Sequence, residues 1–131
     1  MTKILDCTLR DGGHINNWNF SDICVRETLR ACENSAVEYF EAGYNMPQCI
    51  KKSNVKLVIM VDAKNICSVS KNADCVRLAC YPHQISEALD ALEEYKNQGF
   101  EVFLHLMTAD KFEDYERLKN WKNKDILTSI Y

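Results

Sequence analysis

The chain has 131 residues, enough for one ordinary domain and too few for a closed (β/α)8 barrel, which takes on the order of 200 or more. With 47% apolar and 27% charged residues it has the composition of a folded globular protein, which excludes a disordered chain. The net charge is −3 and the sixteen Lys and Arg are dispersed. The best clusters, Lys51-Lys52 and the stretch 119–124, alternate with polar residues, so no nucleic-acid partner is expected.

In chain order, Lys3 to Leu9 is expected to be a strand. Ser21 is expected to cap a helix to about Asn34, with Ile23, Leu29 and Cys32 on one face. Val37 to Glu41 predicts a second strand, stopping at Gly43. Val55 to Val61 is a nearly continuous apolar run, as suits a parallel strand covered on both sides. A short helix is expected over 64–70 and a strand over Cys75 to Cys80. Gln84 to Asn97 is the clearest helix, with Ile85, Ala88, Leu89 and Leu92 at helical spacing and Gln98-Gly99 ending it. Phe100 to Met107 predicts a fifth strand. A helix over 110–122 follows, with Phe112, Tyr115, Leu118 and Trp121 along one side. The segment 126–131 resembles the start of a sixth strand.

Strands separated by helices imply parallel pairing through right-handed crossovers. Periodicity leaves a barrel and a doubly wound, flavodoxin-like sheet both open. The second loses ground because no phosphate-cradling glycine loop follows the first strand. The seven cysteines are odd in number, lack C-x-x-C spacing and often lie in apolar runs, the pattern of reduced thiols in a cytoplasmic protein. No apolar run approaches a membrane span, so no membrane partner is expected.

The informative segment is Leu5-Asp6-Cys7-Thr8-Leu9-Arg10-Asp11-Gly12-Gly13-His14. On a strand, Asp6, Thr8 and Arg10 would share one face, with Arg10, Asp11 and His14 carried onto the loop at the strand end. Asp11 offers a hard oxygen for a divalent cation. Arg10 offers a fixed charge and a donor fork for a carboxylate or enolate. His14 can move a proton near neutral pH, and Gly12 and Gly13 permit a sharp turn. An Arg–Asp surface pair on a strand-end turn is the plainer alternative. Glu41, at the end of the second strand, is placed to reach Arg10. His83 and His105 suit structural positions better than a site.

Thr8-Leu9-Arg10-Asp11-Gly12 resembles the opening signature of the DRE-TIM metallolyases, which include HMG-CoA lyase and the isopropylmalate and homocitrate synthases. The flanking Asp6-Cys7 and Gly13-His14-Ile15-Asn16-Asn17-Trp18 are most similar to the 4-hydroxy-2-oxovalerate aldolase branch. The resemblance implies a partial TIM (β/α)8 barrel of five to six parallel strands, residues 1–131 being its N-terminal portion with the C-terminal strands absent. It implies a carbon–carbon lyase, an aldolase acting on a 4-hydroxy-2-oxo acid through a pyruvate enolate. Arg10, His14 and Glu41 would be catalytic and Asp11 would hold Mn²⁺ or Mg²⁺. The family completes its metal site with a late His-x-His pair, and His14, His83 and His105 are nowhere two apart. The metal is therefore expected not to be retained, and this chain alone to be inactive. The alternative is a non-catalytic product of a truncated or split gene, acting as a partial-barrel interaction module. Either reading leaves self-association or a missing C-terminal half as the expected partner, beside a small 2-oxo acid substrate.

Overall fold

A computed structural model describes residues 2–114, 116–117, 119–120 and 129–130. By their contacts they form two compact units, Met1–Met60 with Val69–Asp74, and Val61–Ser68 with Cys75–Tyr131.

In the first unit the expected strand over Lys3 to Leu9 is cut short. Strand β1 is only Leu5–Asp6, and helix α1 (Thr8–Asn16) begins two residues later. The cause is local. The Asp6 carboxylate accepts from the Thr8 backbone N–H at 3.1 Å and from the Thr8 hydroxyl at 2.9 Å. That turn competes with continued strand pairing, and the Asp11 N–H then closes onto the Cys7 carbonyl at 2.8 Å. The strand-face grouping of Asp6, Thr8 and Arg10 therefore does not occur, and Gly12 and Gly13 lie inside a helix rather than in a loop.

Helix α2 (Asp22–Glu33) starts as expected at Ser21, whose hydroxyl accepts from the Cys24 N–H at 3.2 Å. It buries Val25, Leu29 and Cys32, spaced four and then three residues apart along one face. Ile23 is not on that face. It lies roughly 160° around the helix from Val25 at 3.6 residues per turn and is 69% exposed. Strand β2 (Tyr39–Gly43) is buried throughout and lies two residues later than expected. Strand β3 (Lys56–Asp62) is buried from Leu57 to Val61. Asp74 ties the start of β3 down, accepting from the Leu57 N–H at 2.8 Å and donating its own N–H to the Leu57 carbonyl at 2.9 Å. Strand β1 pairs parallel with β2, and β2 with β3. The β2–β3 register slips between Glu41 and Gly43, a bulge at the end of β2.

In the second unit, β4 (Cys75–Cys80) has the expected bounds and is wholly buried. The helix expected over 64–70 is absent. Asp62 instead accepts the Lys64 N–H on its side chain at 2.9 Å and the Asn65 N–H on its carbonyl at 2.8 Å, which closes a turn. A 3-10 turn, Pro82–Gln84, leads into α3 (Ile85–Asn97), which ends at Gly99 with φ +100°. Strands β5 (Glu101–Leu106) and β6 (Ser129–Ile130) follow. Strand β4 pairs parallel with β5 over six residues, and β5 with β6. Val76, Leu78, Cys80, Val102, Leu104 and Leu106 form one apolar sheet face, matched by the buried Ile85, Ala88, Leu89, Leu92 and Tyr95 of α3. Of the helix expected over 110–122, the described part has a 3-10 turn at Ala109–Lys111 and helical residues at 116–117 and 119–120. Tyr115, Leu118, Trp121 and most of 126–131 lie outside the described residues.

Parallel strands, neighbours in chain order within each unit and joined in part by helices, make this the α/β fold of a partial (β/α)8 barrel. A flavodoxin-like order would set the first strand between later ones. Here β2 holds the middle of its trio. The connections from β2 to β3 and from β3 to β4 carry no helix, unlike the regular alternation expected.

Candidate active site

Strand β2 and the first turns of α1 bring Glu41 together with the charged residues of the opening motif. Arg10 donates from Nε to Glu41 Oε1 at 2.7 Å, and its Nη1 lies 2.7 Å from Asp11 Oδ1. Glu41 has no exposed surface, the Arg10 side chain is 14% exposed and Asp11 is 63% exposed. A buried carboxylate of this kind contributes orientation more than stability, because desolvation offsets most of the attraction. Burial works against the Arg10 charge, but the hydrogen bond and charge of Glu41, then the charge of Asp11, outweigh it and hold the guanidinium above its ordinary pKa. The result is a cation fixed in direction.

His14 follows Arg10 by one helical turn on α1. It is exposed, and its ring stands edge-on to Trp18 at 4.9 Å between centroids. Trp18 is the keystone of this corner. Its indole Nε1 donates to the Arg10 carbonyl at 3.0 Å, and its ring also meets Tyr44 edge-on at 5.1 Å. A Cβ on Gly13 would stand 2.0 Å from the Trp18 ring, so the second glycine of the motif is there for close approach, not for a turn. Asn17 and Trp18 both have left-handed backbone, φ +53° and +56°. For a residue as bulky as Trp18 that costs about 1–3 kcal/mol, which the surrounding contacts must offset.

The structure thus brings Arg10, Asp11 and Glu41 together, and joins His14 to them through Trp18. Among the described residues no three His, Cys, Asp or Glu side chains are grouped to hold a metal ion. Asp11, the ligand that the resemblance implies, has an oxygen committed to Arg10. The described residues by themselves therefore do not fit a divalent cation.

A second polar pair was not anticipated. Arg77 on β4 is 5% exposed, and its Nη2 lies 2.7 Å from Nδ1 of His105 on β5. A guanidinium only donates, so Nδ1 accepts and the ring proton sits on Nε2. Register places Arg77 opposite Phe103 and Ala79 opposite His105, on the sheet face away from the apolar one. The signal was present, since Arg77 is the single charge in the run Cys75 to Cys80. His83 stacks on Tyr81 at the strand-to-helix junction, a local packing role. Cys32, Cys75 and Cys80 are buried, and burial, then the charge of Asp62, pushes the Cys80 thiol up to about 11. No helix among the described residues is long and apolar enough to cross a membrane.

No protein-family model and no curated protein matches this chain. It is similar to a crystal structure described as the N-terminal domain of a "putative aldolase" from Bacteroides vulgatus, with 29% sequence identity and a TM-score of 0.73. The match covers 84% of this chain and 46% of that one, so the chain spans less than half the length of its structural neighbour. At this identity and overlap, the chain shares an aldolase-like fold with that domain.

Proposed function

We propose that this chain carries the enolate-stabilising half of an aldolase-type carbon–carbon lyase site, acting on a 4-hydroxy-2-oxo acid. The observation that carries the reading is the buried Arg10–Glu41 pair between α1 and β2. The likeness to an aldolase domain supports the same class. Cleavage begins when His14 takes the proton of the substrate's C4 hydroxyl. The C3–C4 bond breaks, the C4 oxygen becomes the carbonyl of a departing aldehyde, and the electron pair passes to the C2 oxygen as an enolate. Arg10 faces that oxygen and stabilises its charge, and Glu41 keeps the guanidinium aimed. The proton taken up by His14 then returns, through water, to C3 of the enolate, which releases pyruvate and restores the base. The resemblance of the opening motif adds a divalent cation with Asp11 as one ligand; the remaining ligands are not among the described residues.

The test is binding of pyruvate to the 131-residue chain by ligand-observed NMR. Saturable binding that Arg10→Met abolishes is the expected result. No saturable binding to the folded chain would sink the reading.

A further inference from the structure

Beside Trp18, within the first unit, lies a cavity of about 530 Å³. That is within the range of small-molecule pockets, roughly 300–1,000 Å³. Trp18, Phe20 and Tyr44 form its aromatic walls, Asn17 and Asn45 supply amides, and Asp22 is its one charged group. Among the described residues no Lys or Arg lines it, so it offers a carboxylate no counter-charge. The cavity touches the candidate active site through shared residues. The Trp18 ring that walls it also packs on His14 and holds the Arg10 carbonyl, and the lining residues Ala42, Gly43 and Tyr44 follow Glu41 directly on the chain. Both backbone irregularities of the region border it: the bulge between Glu41 and Gly43, and the left-handed pair Asn17-Trp18. Irregular backbone of this kind gathers at sites where a side chain must be aimed.

We infer that this cavity is the subsite for the uncharged, apolar tail of the carbonyl substrate, with Trp18, Phe20 and Tyr44 setting tail preference. The inference rests on the aldolase reading, which assigns the anionic 2-oxo acid head to Arg10. The two ends of such a substrate differ in chemistry, and the two places differ in the same way. A fixed cation stands at Arg10, and the cavity walled by Trp18, which bonds the Arg10 carbonyl, has no basic side chain among its described lining. The tail is bound without covalent change.

The experiment compares pyruvate with 4-phenyl-2-oxobutanoate, which has the same head and an uncharged aromatic tail, as ligands of the full chain. Their dissociation constants are measured by ligand-observed NMR. Burying a phenyl ring should favour the tailed ligand by about tenfold or more. Tyr44→Ala and Phe20→Ala should each bring the ratio of the two constants towards one, and Arg10→Met should weaken both ligands together. Trp18→Ala is a second probe, used only if its circular dichroism and unfolding midpoint show a folded chain. Equal binding of the two ligands, still dependent on Arg10, would overturn the subsite and leave the aldolase reading standing. A tenfold preference that survives both Tyr44→Ala and Phe20→Ala would overturn it too. If neither ligand binds, the aldolase reading falls and the subsite falls with it.

Discussion

Arg10 and Glu41 meet at 2.7 Å, Nε to Oε1, across 31 residues of sequence, and the meeting fastens helix α1 to strand β2. Glu41 is a fully buried carboxylate, so removing it leaves a largely buried guanidinium without its buried partner, paired with the exposed Asp11.

Glu41→Ala should therefore lower unfolding stability by about 3–5 kcal/mol, the usual cost of breaking a buried pair from one side. Replacing both partners, Glu41→Leu with Arg10→Met, should recover much of that loss because no uncompensated charge remains. Urea unfolding of the two variants measures both. A single variant within 1 kcal/mol of the parent, on the scale of an exposed ion pair, would show that the pair is not buried in solution.

Gly13→Ala tests the close approach of Trp18. In an ordinary helix the change would stabilise by roughly 0.5–1 kcal/mol. Here the new Cβ would stand 2.0 Å from the indole, so the ring must leave its seat. The expected result is a net loss of about 1–3 kcal/mol, as for overpacking elsewhere. In a Trp18→Ala background the same substitution should become neutral or stabilising. Denaturant midpoints of the four proteins form the cycle, and a Gly13→Ala effect unchanged by Trp18→Ala would refute the contact.

Cys80 gives a prediction at high pH. Burial lifts its thiol from the ordinary 9.0 to about 11, so the folded chain keeps the proton longer than the unfolded chain does. Its contribution is fully present below pH 9 and is lost as pH rises through 11. The total is roughly 2–3 kcal/mol, from two pKa units at about 1.4 each. Other groups titrate in this range, so the readout is the difference from Cys80→Ala, whose stability should fall less steeply between pH 9 and 11. Parallel slopes would contradict the assignment.

Mn²⁺ should bind this chain weakly. Asp11 is one carboxylate, it is already paired with Arg10, and the described residues group no further ligands around it. Calorimetric titration should show no sub-micromolar site, and Asp11→Asn should change little. Tight binding lost on Asp11→Asn would show that the ligand set is larger than the described residues contain.

Much of this protein is determined by the sequence on its own. The bounds of β4 follow from the apolar run Cys75 to Cys80, and the start of α2 from Ser21 ahead of a helical pattern. The end of α3 follows from Gly99, whose φ of +100° suits glycine. These are short-range matters of burial pattern, cap and backbone permission, which a local stretch of chain decides. The Arg10–Glu41 meeting was also legible, because an Arg soon after the first strand faces a Glu on the second, its parallel neighbour. The motif around Arg10 is helical because the Asp6 carboxylate captures Thr8, a contact two residues apart, which the strand-like alternation of Asp6, Thr8 and Arg10 concealed. Tertiary structure decided the rest. Ile23 is exposed because α2 buries the face carrying Val25, Leu29 and Cys32, a choice between helix faces made only on packing. Gly13 serves Trp18, and Arg77 finds His105 across a parallel register 28 residues away. Such contacts depend on how distant segments are brought together, and pattern within one segment does not encode that.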